Sequence, residues 1–218
     1  MSELQAWKTD FIELAQSSQA LCFGEFELKS GRLSPYFFNF GKFDSGLALN
    51  TLGKCYADAI VDSGLQYDFL FGPAYKGIPL VAVTAAALHQ HHGLDVPWCF
   101  NRKEAKDHGE GGNFVGCVPQ GKALVLDDLI TAGTAIRGAI SLLRDAGAGV
   151  AGVLIGLDRQ ERAPDSQLSA VMQLQQAENI PVRAIISLAD IRTYLASAAD
   201  SALLEAIDQY RQRYGVES

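Results

Sequence analysis

The sequence predicts an α/β protein built on a mainly parallel sheet, and three features of the chain indicate this class. Short apolar segments alternate with segments of helical periodicity from about residue 47 onward. Gly64 and Gly147 follow two of the helical segments, at the position where a glycine commonly ends a helix. Strands joined through helices run parallel, and the right-handed crossover rule then places helices on both faces of the sheet.

The first 45 residues are expected to form a helix followed by a small flap or hood. Ser2 is predicted to cap the helix, which ends near Ala20. Apolar residues recur every three or four positions on one face of it: Leu4, Trp7, Phe11 and Leu14. The segment 23–40 alternates apolar and polar residues around Ser30-Gly31-Arg32, which predicts two short strands joined by a turn.

The core elements follow in chain order without an obvious linker. They are a helix from Leu47 to Asp62, strand 67–72, helix 78–92, strand 96–100, strand 122–128, helix 134–146, strand 150–158, helix Asp165 to Glu178, strand 181–188 and two terminal helices. We therefore expect a single domain over 1–218, with the helix and flap at about 1–45 and the core at about 46–218.

Composition and charge exclude several classes of function. The chain has 18 Lys plus Arg against 25 Asp plus Glu and a net charge of -7, which argues against a nucleic-acid or anionic-membrane partner. The apolar run from Gly77 to Leu88 is too short to cross a bilayer of roughly 30 Å. The N-terminal residues lack the basic start and apolar stretch of a signal peptide, so a cytoplasmic location is expected.

The cysteines and histidines do not indicate a metal site. No C-x-x-C pair is present, and we expect the cysteines to be small buried residues: Cys22, Cys55, Cys99 and Cys117. Three histidines close the helix 78–92, and no carboxylate or cysteine partner is expected for them: His89, His91 and His92.

The segment 123–135, ALVLDDLITAGTA, is the most informative stretch of the chain. It reads as a buried strand that ends in Asp127 and Asp128 and leads to a helix start rich in Thr and Gly. Exposed N–H groups from Thr131 to Ala135, at the positive end of a helix, suit a phosphate monoester. The carboxylates can accept hydrogen bonds from sugar hydroxyls or help to hold Mg²⁺. A phosphorylated ribose meets both demands, whereas a capped strand end without a ligand is the alternative.

Two other nucleotide-binding patterns have the wrong context. The segment 116–123 resembles a P-loop, but Ala123 stands where Ser or Thr binds the metal, and a strand rather than a helix follows. The segment 147–152 matches G-x-G-x-x-G, yet it lies between a helix end and a strand start, which reverses the order that dinucleotide binding requires.

The segment 123–135 resembles the thirteen-residue signature of the type I phosphoribosyltransferases, which bind phosphoribosyl diphosphate (PRPP). Segments 23–39, 71–80, 100–112 and 157–162 are similar to the bacterial orotate phosphoribosyltransferase branch, so the resemblance covers about Phe11 to Gly215. It implies the type I fold, a central mainly parallel sheet flanked by helices with an N-terminal hood. It also implies transfer of ribose 5-phosphate from PRPP to orotate. Mg²⁺ is the expected cofactor, held mainly by PRPP, and no protein ligand is assigned to it.

The resemblance assigns residues to each part of this site. PRPP is expected to contact Lys29, Tyr75, Lys76, Arg102, Lys103, Lys106, His108, Asp127, Asp128, Leu129, Ile130, Thr131, Ala132, Gly133, Thr134 and Ala135. Catalysis is expected from Lys76, Lys106, His108, Asp127 and Asp128. Orotate is expected to contact Lys29, Phe37, Phe38, Thr131 and Arg159. The resemblance further implies a homodimer in which Arg102, Lys106 and His108 complete the neighbouring subunit's site, while Lys103 serves its own chain.

Taken from the residues alone, several of these assignments have plainer alternatives. The loop 71–77, in which Gly72 and Gly77 are expected to leave the backbone open, could bind a diphosphate or could be an ordinary strand-to-helix turn with a solvated lysine. Segment 102–112 could be either a charged surface turn or a lid with three glycine hinges. Phe37 and Phe38 could belong to the core, because adjacent strand residues face opposite sides and cannot both present a side chain to one ligand. A purine or uracil phosphoribosyltransferase and a PRPP-sensing regulator also remain open, and Arg159 favours a base with a carboxylate.

Overall fold

The computed structural model describes residues 4–28, 30–106, 112–198 and 200–216, with side chains for all of these except 104–106 and 112. A six-stranded sheet forms the centre and contains β3 (Phe69–Gly72), β4 (Trp98–Lys106), β5 (Gly112–Gly116), β6 (Lys122–Leu129), β7 (Gly149–Asp158) and β8 (Val182–Ser187). Its order is β5-β4-β3-β6-β7-β8, and every pair is parallel except β4 with β5. The predicted mainly parallel sheet is confirmed.

Helices cover both faces of this sheet, as the crossover rule predicts. They are α1 (Ala6–Ser17), α2 (Gly46–Ser63), α3 (Gly77–His92), α4 (Thr134–Asp145), α5 (Ala170–Glu178), α6 (Leu188–Ser197) and α7 (Ser201–Tyr214). On β6, Leu124 and Leu126 join a buried cluster with α1, α2, α3, α6 and α7, whereas Ala123 and Val125 join a cluster with α4 and α5. The strand that carries the acidic pair is therefore buried on both faces.

The N-terminal hood consists of α1 and an antiparallel hairpin of β1 (Leu21–Glu27) and β2 (Leu33–Phe38). The hairpin agrees with the alternation in the sequence. The expected cap at Ser2 is wrong, because the helix begins at Ala6 with Gln5 in the N-cap position. The helix also ends before Ala20, since Gln19 adopts a left-handed conformation with a φ of 55°.

Two further elements differ from the sequence expectation. Strand β4 continues through Lys106, and β5 pairs with it from Gly112, where a loop was expected over 102–112. Helix α5 begins at Ala170 rather than Asp165, because Asp165 has a φ of 55° and the Ser169 side chain caps the helix by accepting from Met172 N. Among the described residues, no helix has the length and apolar character needed to span a membrane.

Two of the cysteines are buried, and one of the three histidines pairs with a carboxylate. Cys55 and Cys99 are buried, but Cys22 and Cys117 are only half-buried, so the expectation of burial is met in part. Burial raises the pKa of the Cys55 thiol to about 12. The expectation that the histidines lack a carboxylate partner is wrong for His92, whose Nε2 lies 2.8 Å from Asp58 Oδ1 because α3 packs against α2.

Candidate active site

The adjacent carboxylates of Asp127 and Asp128 lie at the carboxyl end of β6, between β3 and β7. Each residue is only 7% exposed. Asp127 Oδ1 accepts from Asp128 N at 2.9 Å, and Asp128 Oδ1 accepts from Leu129 N at 2.8 Å. The chain itself therefore orients both carboxylates before any ligand binds. In a sheet of this class, ligands bind beyond this edge.

Burial changes the proton affinity of the acidic pair. Burial, and then the charge of Asp128, raises the pKa of Asp127 to about 7. Hydrogen-bond donors of a bound ligand stabilise the charged form of a buried carboxyl group whose pKa is raised. The hydroxyls of a sugar are donors of that kind.

Lys76 belongs to the loop between β3 and α3 and meets the acidic pair from the side. Its ammonium contacts the Asp128 carboxylate, although the Lys76 side chain is 65% exposed. Ala74 N donates to Asn101 Oδ1 at 2.9 Å, which ties this loop to the neighbouring strand β4. The structure thus brings together two predicted groups that stand 52 residues apart in the chain.

The glycines of this loop serve close packing. A Cβ atom at Gly72 would lie 2.1 Å from Gly77 O, and one at Gly77 would lie 2.6 Å from Pro73 Cδ. No side chain fits at either position, because the last strand residue touches the first helical turn. The expectation that both glycines leave the backbone open to a ligand is therefore wrong.

The predicted cationic residues of β4 are placed only in part by the structure. Lys103 Nζ lies 4.4 Å from the centre of the exposed Tyr75 ring, so Lys103 stands beside the loop of its own chain. Arg102 is half-buried on the same strand. The side chain of Lys106, together with Lys29 and His108, lies outside the described residues.

The turn after β6 presents the start of a helix to solvent. Gly133 occupies the N-cap position of α4 with a φ of 73°, and no described side chain caps this helix start. Leu129 and Ile130 are half-buried, whereas Thr131, Ala132, Thr134 and Ala135 are exposed. No described side chain therefore competes with an anion for the first N–H groups of α4, and the predicted phosphate contact stays a prediction.

Arg159 lies one residue beyond β7, at the same edge as the acidic pair. Its Nε donates to Glu161 Oε1 at 2.8 Å, and its guanidinium carbon lies 4.8 Å from the centre of the buried Tyr36 ring. Although burial alone would lower the pKa of Arg159, the neighbouring Tyr36 and Glu161 raise it overall. The arginine is thus a permanent cation near the hood.

The two phenylalanines predicted to contact the base face different environments. Phe38 is 5% exposed and packs against Phe11 and Phe43 in the core. Phe37 is 41% exposed, with its ring centre 5.6 Å from that of Phe26. Only Phe37 therefore offers a ring at the surface, and Phe38 could reach a ligand there only through its backbone.

Sequence reasoning missed three polar residues that support the site. Tyr56 OH donates to Asp127 O at 2.8 Å, Asn101 holds Ala74, and Glu161 pairs with Arg159. Asn101 follows the predicted strand 96–100, so the rule of attending to strand ends could have found it. Tyr56 lies within a predicted helix, where the sequence carries no signal of its distant partner.

Comparison with known proteins agrees with this arrangement. A family model described as the phosphoribosyl transferase domain matches residues 47–184. Orotate phosphoribosyltransferase of Pseudomonas paraeruginosa is 55% identical over 214 residues, which cover 98% of this chain and all of that protein. The protein of the same name from Escherichia coli O139:H28 is 54% identical with the same coverage.

A solved structure extends the similarity to the whole architecture. The crystal structure of Francisella tularensis orotate phosphoribosyltransferase superposes with a TM-score of 0.86 at 46% identity, over 94% of this chain and 98% of that one. The chain belongs to the phosphoribosyltransferase family, in its orotate phosphoribosyltransferase branch.

Proposed function

We propose that the chain transfers the ribose 5-phosphate unit of PRPP to a ring nitrogen of orotate, giving orotidine 5'-phosphate and diphosphate. One observation carries this proposal. The buried pair Asp127 and Asp128 leads directly to the exposed start of α4. This juxtaposition suits one ligand that has hydroxyls at one end and a phosphate monoester at the other.

Each part of PRPP has a matching group in the described structure. The 5-phosphate binds the N–H groups of Thr131 to Ala135, and the ribose hydroxyls bind Asp127 and Asp128. The diphosphate lies toward Tyr75 and Lys76, with Lys103 beside them, because these residues flank the acidic pair on the β3 side. The loop after β3 thus places the positive charge of Lys76 next to the carboxylates of Asp127 and Asp128.

Mg²⁺ fits this site as a companion of the substrate. The ion prefers oxygen ligands and keeps several waters and phosphate oxygens. Both oxygens of Asp128 and Oδ1 of Asp127 already accept contacts from the chain itself. We therefore assign the ion mainly to the diphosphate of PRPP, where it neutralises negative charge on the leaving group.

Charge placement is the basis of the proposed catalysis. As the bond between the anomeric carbon and the diphosphate oxygen breaks, its electron pair leaves with the diphosphate and positive charge grows on the ribose. Lys76 stabilises the leaving group, and the acidic pair holds the ribose through its hydroxyls. Attack by the base nitrogen from the opposite face then inverts the anomeric carbon.

Arg159 selects the base in this proposal. Its guanidinium can bind the carboxylate that distinguishes orotate from uracil. We assign further contacts with the base to Thr131 and to the hood residues Phe37 and Lys29, and Phe38 contributes through its backbone. Segment 102–112 acts as a lid across a homodimer interface, where Arg102, Lys106 and His108 reach the neighbouring site and His108 assists proton transfer.

The activity is tested by following the ultraviolet absorbance of orotate in the presence of PRPP and Mg²⁺. We expect orotate to be consumed with release of an equal amount of diphosphate. Uracil and hypoxanthine serve as competing bases, and neither should be consumed at a comparable rate. Consumption of uracil without consumption of orotate would contradict the assignment of Arg159 and of the substrate.

A further inference from the structure

The guanidinium of Arg159 belongs to a closed ring of side-chain contacts that begins and ends at Glu161. We call this set the Glu161 ring. Its members are Glu161, Arg159, Tyr36, Tyr210, Tyr214 and Arg32. They come from the loop after β7, from the hood and from α7, so three separate parts of the fold converge on one carboxylate.

The successive contacts of the Glu161 ring close on themselves. The Tyr36 ring lies under Arg159 and meets Tyr210 edge-on at 6.1 Å between ring centres. Tyr210 lies 5.1 Å from Tyr214, whose ring lies 5.0 Å from the Arg32 guanidinium. Arg32 Nη1 then approaches Glu161 Oε2 at 3.6 Å.

Glu161 divides its carboxylate between two arginines. Oε1 accepts from Arg159 Nε and from Tyr36 OH, at 2.8 and 3.2 Å, whereas Oε2 faces Arg32. Glu161 is only 13% exposed in its side chain, so these contacts are shielded from water. Charge-assisted bonds of this kind fix a planar guanidinium in direction as well as in place.

Arg159 retains donor capacity after these contacts. Its buried Nη2 lies 2.6 Å from Glu161 Oε1, so Glu161 faces the guanidinium edge that is formed by Nε and Nη2. A guanidinium has five N–H donors, and Glu161 engages one edge of it. A second carboxylate can therefore bind while Glu161 keeps its hold.

We propose that Glu161 is a positioning residue, which fixes the Arg159 guanidinium for the carboxylate of the base and thereby sets the preference for orotate over uracil. The inference rests on the proposed function. Glu161 contributes position rather than negative charge alone. Its charge is shared with Arg32, whereas its Oε1 accepts from both Arg159 Nε and Tyr36 OH.

Two conservative variants separate position from charge. Glu161→Gln keeps an acceptor oxygen at the same reach but removes the charge, whereas Glu161→Asp keeps the charge and withdraws it by one methylene. Initial rates are measured at saturating PRPP and Mg²⁺ with orotate varied and with uracil as competing base. Glu178→Gln and Glu178→Asp are the matched controls, because Glu178 pairs with Arg144 at 2.8 Å between α4 and α5.

We expect Glu161→Asp to raise the KM for orotate by about tenfold and to narrow the preference for orotate over uracil, while Glu161→Gln stays within about threefold of the parent. The KM for PRPP should stay within about twofold in both variants, and kcat should change less than the orotate KM. The Glu178 variants should behave like the parent.

A Glu161→Gln variant as impaired as Glu161→Asp, or a tighter KM for orotate in either variant, would overturn the positioning role. So would two Glu161 variants indistinguishable from the parent. In each of these cases the parent still consumes orotate, and the proposed function stands. A parent chain that does not consume orotate would instead contradict the proposed function itself.

Discussion

At the residue scale, Asp128 is the point where the parts of the candidate site meet. Lys76 reaches it from the loop after β3, and the backbone of Leu129 holds its other oxygen. Tyr56 supports the preceding peptide from α2 by donating to Asp127 O. Three parts of the chain, namely the loop after β3, β6 itself and α2, therefore determine how the acidic pair faces the sheet edge.

Asp127→Asn tests the unusual proton affinity of this pair through stability. A carboxyl whose pKa is raised by folding favours the folded state while it is protonated, and this contribution is lost as the pH rises through the folded value, about 7. The variant cannot ionise. The stability of the variant relative to the parent should therefore increase between about pH 4 and pH 7, by at most roughly 1.4 kcal/mol per pH unit. Its melting temperature should rise relative to the parent over the same range, and the difference should level off above it.

Melting curves by circular dichroism across this pH range, without substrates, provide the measurement for Asp127→Asn. Asp44→Asn, which changes an exposed carboxyl before α2, controls for the general effect of removing a charge. A difference between Asp127→Asn and the parent that does not depend on pH would contradict the raised pKa.

Lys76→Ala tests the role of the loop lysine in the transition state. Its side chain is largely exposed, so the fold should be retained, but its charge next to Asp128 is lost. We expect kcat to fall by roughly 10²-fold, with a smaller change in PRPP affinity. Lys122→Ala, at the opposite end of β6, is the control and should keep the parental rate.

Steady-state rates and PRPP binding by calorimetry together decide the role of Lys76. A variant that loses PRPP affinity as strongly as it loses kcat/KM, with kcat unchanged, would show that Lys76 contributes uniform binding only.

At the element scale, the junction of β3 with α3 depends on the absence of side chains. Gly72 and Gly77 approach so closely that strand end and helix start touch, and this contact sets where Tyr75 and Lys76 leave the sheet. The geometry of the loop therefore follows from backbone packing, with Asn101 as its polar tie.

Gly72→Ala should destabilise the chain, because the new Cβ would lie 2.1 Å from Gly77 O and the backbone must shift. We expect a loss of about 2–4 kcal/mol in the free energy of unfolding, together with a lower kcat/KM. Gly138→Ala is the opposite control: this exposed glycine within α4 has open space around its Cβ position. That change should stabilise the helix by about 0.5–1 kcal/mol.

Urea unfolding of the parent, Gly72→Ala and Gly138→Ala gives these values directly. Parental stability in Gly72→Ala would mean that the junction can relax, and that the close approach of the two glycines does not hold the loop.

The elements that could be predicted are those whose pattern is local. The buried strand before Asp127 is a continuous apolar run, and Gly64 adopts the left-handed conformation that ends α2, so both were found from the sequence. Strand β5 was missed because it is a short strand at the sheet edge, where two glycines and an asparagine interrupt the apolar pattern. The start of α5 was missed because Asp165 takes a left-handed turn that composition does not reveal.

In the candidate site, too, residues with a local sequence signal could be predicted, and residues whose partners are distant in the chain could not. Asp127 and Asp128 could be predicted because two adjacent acids after a buried strand are costly without partners. The contact of Lys76 with Asp128 was implied by the rule that parallel strand ends share an edge. Glu161 could not be assigned, because its hood partners Arg32 and Tyr36 become its neighbours only when the chain folds.

At the scale of the whole molecule, the site is assembled where separate parts converge on one sheet edge. Lys76 follows β3, the acidic pair ends β6 and Arg159 follows β7, and the hood approaches the same edge through Tyr36. The proposed homodimer adds the lid of a neighbouring chain. Catalysis then depends on two subunits, which can be tested by mixing variants.

Hybrid dimers test whether the lid crosses the interface. Lys106→Ala alone should lower turnover far more than PRPP affinity, and Asp127→Asn with Asp128→Asn should abolish activity. When the two variants are unfolded together in equal amounts and refolded, half of the dimers are hybrids with one intact site each. Activity should therefore recover to about one quarter of the parental value.

Each variant refolded alone is the control for this mixture and should stay at its own low rate. A mixture no more active than the average of the two controls would contradict sharing of Lys106 between subunits and would place the lid over its own site.

The most direct measurement is a crystal structure of the chain with PRPP and Mg²⁺. The account predicts density for the 5-phosphate on the amides of the turn that opens α4, with the ribose hydroxyls on Asp127 and Asp128 and the diphosphate beside Lys76. Density for the sugar phosphate at another surface, with water alone on the two aspartates and the turn, would contradict it.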